Sequence, residues 1–234
     1  MAGITLDLWM ILPKTIEIIV FLCCALIIYQ KKKDYILNKT YSIALCGWSI
    51  YVILDALLFP IAHLESTAPP LIANILRDIA ICAGGILAFG FLYASIIIRY
   101  GEALAKEIRT VILMVAGYLA LVIPTVITDA IIKEAGNVHT DFNISNGITI
   151  LAQIIIYFIA VYQLIVNYRV IQDEKIKKRI LYFIFGALLI ALGIIFFIIV
   201  GVTASEFDFI TGPIGHFIWI LAPVFILLGV RKIE

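Results

Sequence analysis

Apolar residues fill this chain in seven runs, each about 20 residues or longer and so long enough to cross a bilayer as a helix. The runs predict helices near residues 8–30, 41–63, 71–99, 110–132, 148–168, 180–202 and 212–230. Short polar gaps separate them, which leaves no room for a soluble domain. The fold class that follows is an all-α integral membrane protein, a single seven-helix transmembrane bundle over residues 1–234. The first run reads as a retained span and not as a cleaved signal, because nothing basic precedes it and Lys14 and Glu17 interrupt its apolar core.

Charge changes the picture by giving the bundle a direction. Lys31, Lys32, Lys33 and Lys39 follow the first run, Arg99, Lys106 and Arg109 the third, Arg169, Lys175, Lys177, Lys178 and Arg179 the fifth, and Arg231 and Lys232 close the chain. Fourteen of the seventeen basic residues thus fall on one side, which places the N-terminus outside and the C-terminus in the cytoplasm. The gaps on the other side, around Glu65, Lys133–Glu134–Asp141 and Glu206–Asp208, are mainly acidic. Tyr29, Tyr35, Tyr41, Tyr100, Tyr168 and Tyr182 gather near the inner ends, as an interfacial aromatic belt does. Composition agrees, with 64% hydrophobic and 14% charged residues against roughly 45–50% and 25% in soluble domains. A multi-pass location, with the cell membrane as the expected one, follows.

Small residues suggest which helix is central. Ala80, Gly84 and Ala88 recur every four residues in the third run, a spacing that lets helix backbones approach closely in lipid. The sixth run, rich in Ile, Leu and Phe, is expected to meet lipid broadly. Pro124 and Pro223 remove backbone donors inside the fourth and seventh runs and are expected to bend them.

Ionisable residues within the runs carry the functional expectation, since a charge near mid-bilayer is costly unless it faces the interior with a partner or a task. Asp55 lies about eight residues from the outer end of the second run, roughly 12 Å deep at 1.5 Å per residue. Arg77, Asp78 and Glu17 lie at similar depth on neighbouring runs. An Asp55–Arg77 ion pair is expected, and Lys14 and Glu17, three apart on one face, are expected to satisfy each other. Asp129 and His216 stand nearer the outer water boundary. With Gln153, Tyr157 and Trp219 these residues predict a polar, outward-opening cavity whose ligand-binding set is Glu17, Asp55, Arg77, Asp78, Gln153, Tyr157, His216 and Trp219.

Chemistry outside that cavity is sparse. Cys23, Cys24, Cys46 and Cys82 all lie within predicted spans, which argues against a structural disulfide. The three histidines, 63, 139 and 216, show no His-x-x-x-His or His-x-x-Glu spacing, so no metal site, intramembrane zinc hydrolase or haem ligation is expected. Phosphate loops and nucleophile elbows are missing too, no enzyme activity or cofactor is expected, and nothing points to nucleic acid. Asn143-Ile144-Ser145 forms a glycosylation triplet in an outer gap.

Known seven-helix families can be tested against these residues. The architecture resembles rhodopsins, but residues 212–223 hold no lysine for a retinal Schiff base. G-protein-coupled receptors share the topology, yet Ile98-Arg99-Tyr100 lacks the acid before the arginine, and the last run lacks Asn-Pro. Seven-helix sugar transporters match in length and sidedness, but no Pro-Gln pair occurs. In layout the chain resembles the seven-helix sensory regions attached to some prokaryotic signalling enzymes. That resemblance implies a receptor- or sensor-like protein whose partners are the bilayer, a small-molecule or lipid ligand, and a separate cytoplasmic effector protein. The alternatives are a small-solute transporter or a non-catalytic membrane subunit of a larger complex.

Overall fold

The computed structural model describes residues 2–67, 69–134, 137–140, 144–203 and 208–230. Seven long helices carry the predicted spans: α1 (Ala2–Lys31), α2 (Ile36–Leu64), α3 (Leu71–Tyr100), α5 (Ile108–Val126), α6 (Ile144–Val170), α7 (Glu174–Thr203) and α8 (Asp208–Val230). A short α4 (Glu102–Ala105) joins α3 to α5, after Gly101 ends α3 at φ +89°, a conformation glycine adopts without strain. Between α5 and α6 lie two short antiparallel strands, β1 (Ile131–Glu134) and β2 (Asn137–Thr140), with Ile131 opposite Thr140 and Glu134 opposite Asn137. All seven long helices contain an apolar stretch long enough to cross a membrane. The protein is a multi-pass seven-helix membrane bundle.

Six helices close a ring. α1 packs on α2 and α8, α2 on α3, α3 on α6, α6 on α7, and α7 on α8. The remaining span, α5, packs outside the ring against α3 and α6. The fourth span is therefore the one most given over to lipid, and the sixth, expected to be so, is built into the wall. Phe183, Ala187, Ile190, Ala191 and Ile194 of α7 are all buried.

Close helix approach follows from small residues, as the sequence predicted for the third span. A Cβ placed on Gly47 of α2 would stand 2.8 Å from the Ala83 carbonyl oxygen of α3, and one on Gly90 would stand 2.5 Å from the Ala44 Cβ. With no hydrophobic drive between helices in lipid, such backbone proximity is what dispersion contacts require. α3 is the most buried of the seven spans.

Helix ends, whose last carbonyls and first N–H groups lack intrahelical partners, are satisfied by side chains from neighbours. At the inner end, Lys31 of α1 donates to the Val230 carbonyl (3.0 Å) and Arg179 of α7 to that of Gly229 (2.8 Å), so two cations hold the C-terminus of α8. At the outer end, Lys133 of β1 donates to the carbonyls of Ala62 (3.2 Å), His63 (3.1 Å) and Glu65. The fourth span stops at Val126, six residues short of the expected end, because the chain turns there into the strand pair. Asn74, buried in the first turn of α3, fixes that turn. Its Oδ1 accepts the N–H groups of Ala130 (3.0 Å) and Ile131 (2.9 Å), and its Nδ2 donates to the carbonyls of Pro70 (2.9 Å) and Ile131 (3.1 Å).

The expected tyrosine belt loses one member. Tyr41 is wholly buried between Phe91 and Phe183, because its place on α2 turns it into the ring and not toward the headgroups. The glycosylation triplet begins at a residue outside those described.

Replacing Asn74 by Ala removes the partner of the Ala130 and Ile131 N–H groups and a bond to the Ile131 carbonyl, where the chain enters β1, at about 1–3 kcal/mol for each group left buried and unpaired. Hydrogen exchange at residues 130–134 is expected to accelerate at least about ten-fold in Asn74→Ala, with the inner ends of the helices unchanged. Unaltered exchange in the strands would show that Asn74 does not hold them.

Glu65, just past the end of α2, accepts the N–H groups of Ile72 (2.7 Å) and Ala73 (2.9 Å) at the start of α3. Partial desolvation raises its carboxyl pKa, but these bonds, that of Leu71 and the charge of Lys133 outweigh it and hold the group below its ordinary value. A lowered folded-state pKa means a stabilisation complete above the unfolded value, about 4.3, and lost as pH falls through the folded value. The thermal midpoint of the wild type is thus expected to fall more steeply below about pH 4.3 than that of Glu65→Gln. Parallel pH profiles would remove this role.

Candidate functional site

A cavity of about 670 Å³ opens among the outer halves of α1, α2, α3, α6, α7 and α8. Its walls are mainly apolar and aromatic, with Trp48, Tyr51, Phe59, Phe197 and Trp219 among them, and the strand pair contributes Ile131 at the rim. Volume and lining both fall in the usual range for small-molecule sites, about 300–1,000 Å³ with few polar groups.

The floor is an aromatic cluster built around one carboxylate. Trp48 lies edge-on to Trp219 at 5.0 Å between centroids, and Phe197 packs on Trp219 at 4.6 Å and on His216 at 5.4 Å. Behind these rings sits Glu17 of α1, whose side chain has no solvent exposure. The Trp48 indole N–H of α2 donates to its Oε1, and Nδ1 of His216 on α8 bonds its Oε2. Trp219 in turn donates to the Ile190 carbonyl of α7 at 3.1 Å, which ties the floor to a fourth helix. Trp48 and His216 between them bond both oxygens of Glu17, and a carboxyl group in a dry interior needs such partners.

Two further ionic groups stand higher in the wall. Lys14 Nζ lies 2.7 Å from Asp55 Oδ2, joining α1 to α2. Arg77 Nη1 lies 3.2 Å from Asp78 Oδ1 and donates to the carbonyls of Thr125 (2.8 Å) and Thr128 (2.7 Å), the exposed end of α5. All three contacts are made by Nη1, one arm of the guanidinium.

The structure corrects the expected pairing. Asp55 takes Lys14, and Arg77 takes Asp78 and the α5 carbonyls. Lys14 and Glu17 lie on one face of α1 but meet different neighbours, so they do not pair with each other. His216 is buried, not solvated at the outer boundary, because α8 turns it toward Glu17. Of the eight expected site residues, Asp55, Arg77, Gln153, His216 and Trp219 line the cavity. Glu17 sits immediately behind His216 and Trp48, and Asp78 braces Arg77. Tyr157 does not line the cavity. It is wholly buried one turn below Gln153, edge-on to Phe91 at 5.6 Å, with its hydroxyl unpartnered. Lys14, Trp48, Tyr51 and Phe197 complete the site and escaped the sequence reading, although an intramembrane lysine at position 14 was signal enough to include it.

Among the described residues no three His, Cys, Asp or Glu side chains converge to hold a metal ion. Compared with family models, with curated proteins and with solved structures, the chain matches none of them. What fold and site define is a seven-helix membrane bundle with a half-depth outer cavity.

Removing one member of the Lys14–Asp55 pair strands the other charge in a low-dielectric wall. Full burial would make that about 3–5 kcal/mol; with the Asp55 side chain 28% exposed, about 1–3 kcal/mol is expected. In detergent, Lys14→Met and Asp55→Asn should each lower the thermal midpoint, and the double variant should lose less than the sum. Asp55→Asn combined with Arg77→Met should be additive. The opposite pattern would restore an Asp55–Arg77 pair.

Proposed function

We propose that the protein is a receptor- or sensor-like module that binds a small molecule in the outer cavity and signals through a separate cytoplasmic effector. One observation carries this reading: the cavity stops at mid-depth. Below the Trp48–Trp219 floor the bundle axis is filled. Tyr41 stacks on Phe183 at 5.0 Å, Phe91 packs edge-on against Tyr41 at 5.6 Å, and Leu45, Leu87 and Leu164 are wholly buried. Interiors packed this way hold few voids larger than a water molecule. A site open to one side only suits recognition better than passage.

The same geometry supports a route for the signal. α1 and α8 each carry cavity residues at one end, Lys14 and His216, and meet at the other end through Lys31 and the Val230 carbonyl. A ligand that binds one arrangement of these helices more tightly shifts the population by that difference in affinity and by no more. Any effector would therefore read the inner ends of α1 and α8. Turnover has no evident machinery in the cavity, and we propose binding without catalysis.

A thermal-shift screen of purified protein against metabolites and lipids tests the reading. A compound present at about 100 times its Kd adds about 2.7 kcal/mol, or about 5–10 °C for a domain of this size. The shift is expected in wild type and lost in Ala80→Phe, which fills the cavity. The same compound should not cross proteoliposomes. Flux through them would favour the transporter reading, and a full screen without a hit would favour the subunit reading.

A further inference from the structure

We propose that the ligand of this cavity is a molecule of zero net charge, with a flat apolar body and an uncharged head that both donates and accepts hydrogen bonds, as a carboxamide does; this rests on the cavity being a binding site.

The charge argument is one of completeness. Among the described residues, the charged groups of the wall arrive paired, Lys14 with Asp55 and Arg77 with Asp78, while His216 is bonded to Glu17. An anion would find no surplus positive charge, and near Arg77 it would also meet the field of Asp129. A cation would compete with Lys14 for Asp55. Either ion would lose its hydration without a waiting partner, so exclusion of ions follows from the pairing itself.

The head group is read from the polar side chains that make no hydrogen bond of their own. Trp48 and Trp219 spend their indole N–H groups on Glu17 and on the Ile190 carbonyl. Among the described residues, the Gln153 amide of α6 and the Tyr51 hydroxyl of α2 line the cavity without a hydrogen bond. Both are uncharged, and together they offer donors and acceptors. A neutral head that does both can satisfy them. The aromatic rings around them then match the body, since offset or edge-on packing favours flat surfaces.

Three fluorescent probes with one body separate the cases: 1-pyrenecarboxamide, 1-pyrenecarboxylate and 1-pyrenemethylammonium. Trp48 and Trp219 are cavity residues, so transfer from tryptophan to pyrene reports occupancy, and Ala80→Phe supplies the baseline for partition into detergent. The carboxamide is expected to bind roughly ten-fold or more tightly than either ion, with an affinity unchanged between about 50 and about 500 mM NaCl. Gln153→Leu and Tyr51→Phe should each weaken it by about 2- to 10-fold and leave the two ions unaffected. An ion that binds as tightly as the carboxamide overturns the inference and leaves the cavity reading standing. Carboxamide binding that ignores both substitutions overturns the assignment of the head. No transfer above the Ala80→Phe baseline for any of the three probes overturns the cavity reading itself.

Discussion

A carboxylate with no solvent exposure, Glu17, joins α1 to α2 through the Trp48 indole and to α8 through the His216 imidazole. Removal of either partner would leave one oxygen of that carboxyl group in the interior without a hydrogen bond, which is costly in a lipid-embedded core. The three helices are therefore fixed in rotation as well as in distance. That constraint sets the floor of the cavity, because the rings that satisfy Glu17 are the rings that close the space above it. It also brings the first and last helices side by side, so the six-helix ring closes.

From that level the molecule divides. Outward, Lys14 pairs with Asp55 across helices and Arg77 holds Asp78 and the carbonyls at the end of α5, and the walls between these groups stay open. Inward, contacts are aromatic and aliphatic, and the polar atoms that remain, such as Ser42 and Ser49, donate to nearby backbone carbonyls. Two hydroxyls, on Tyr41 and Tyr157, find no partner there. Their rings fill volume in the packed half, and this packing outweighs an unmade hydrogen bond worth about 1–3 kcal/mol.

The sequence disclosed the elements whose signal is one-dimensional. Span lengths, their order, the basic side and the small-residue face of α3 all depend on spacing along a single helix. Depth was legible only coarsely: Glu17, Asp55 and Arg77 were assigned to one level, whereas Glu17 sits behind the floor and the other two stand higher in the wall. Partner choice was not legible, since it depends on how each helix is turned about its axis. Lys14 and Glu17 share a face of α1, and only the positions of α2 and α8 decide that one meets Asp55 and the other His216. Arg77 was misread for a different cause: two of its partners are carbonyls at and just past the early end of α5, and Thr128 and Asp129, set between Ile127 and Ala130-Ile131-Ile132, did not mark that end. Asn74 gave no warning at all, because a lone asparagine at a helix start has many uses before the fold selects one. Tyr157 was read by depth and type, but its ring points into the packed half.

The strand pair bears on how the cavity communicates with its surroundings. Ile131 belongs both to the cavity rim and to a small cluster with Leu58, Ala62 and Ala73, so the rim is packed onto α2 and α3. Asn74 and Lys133 add hydrogen bonds from the same segment to the same two helices. Displacing this segment would break several contacts together, and local opening of that kind has a definite free energy that sets how often it occurs. Thr125 and Thr128, whose carbonyls hold Arg77, lie at the start of the segment, so the cation in the wall and the strand pair at the rim share one stretch of backbone. A ligand that altered the Arg77 contacts would thus act on the rim through bonds already present, with α5, the helix outside the ring, as the element with the fewest constraints against moving.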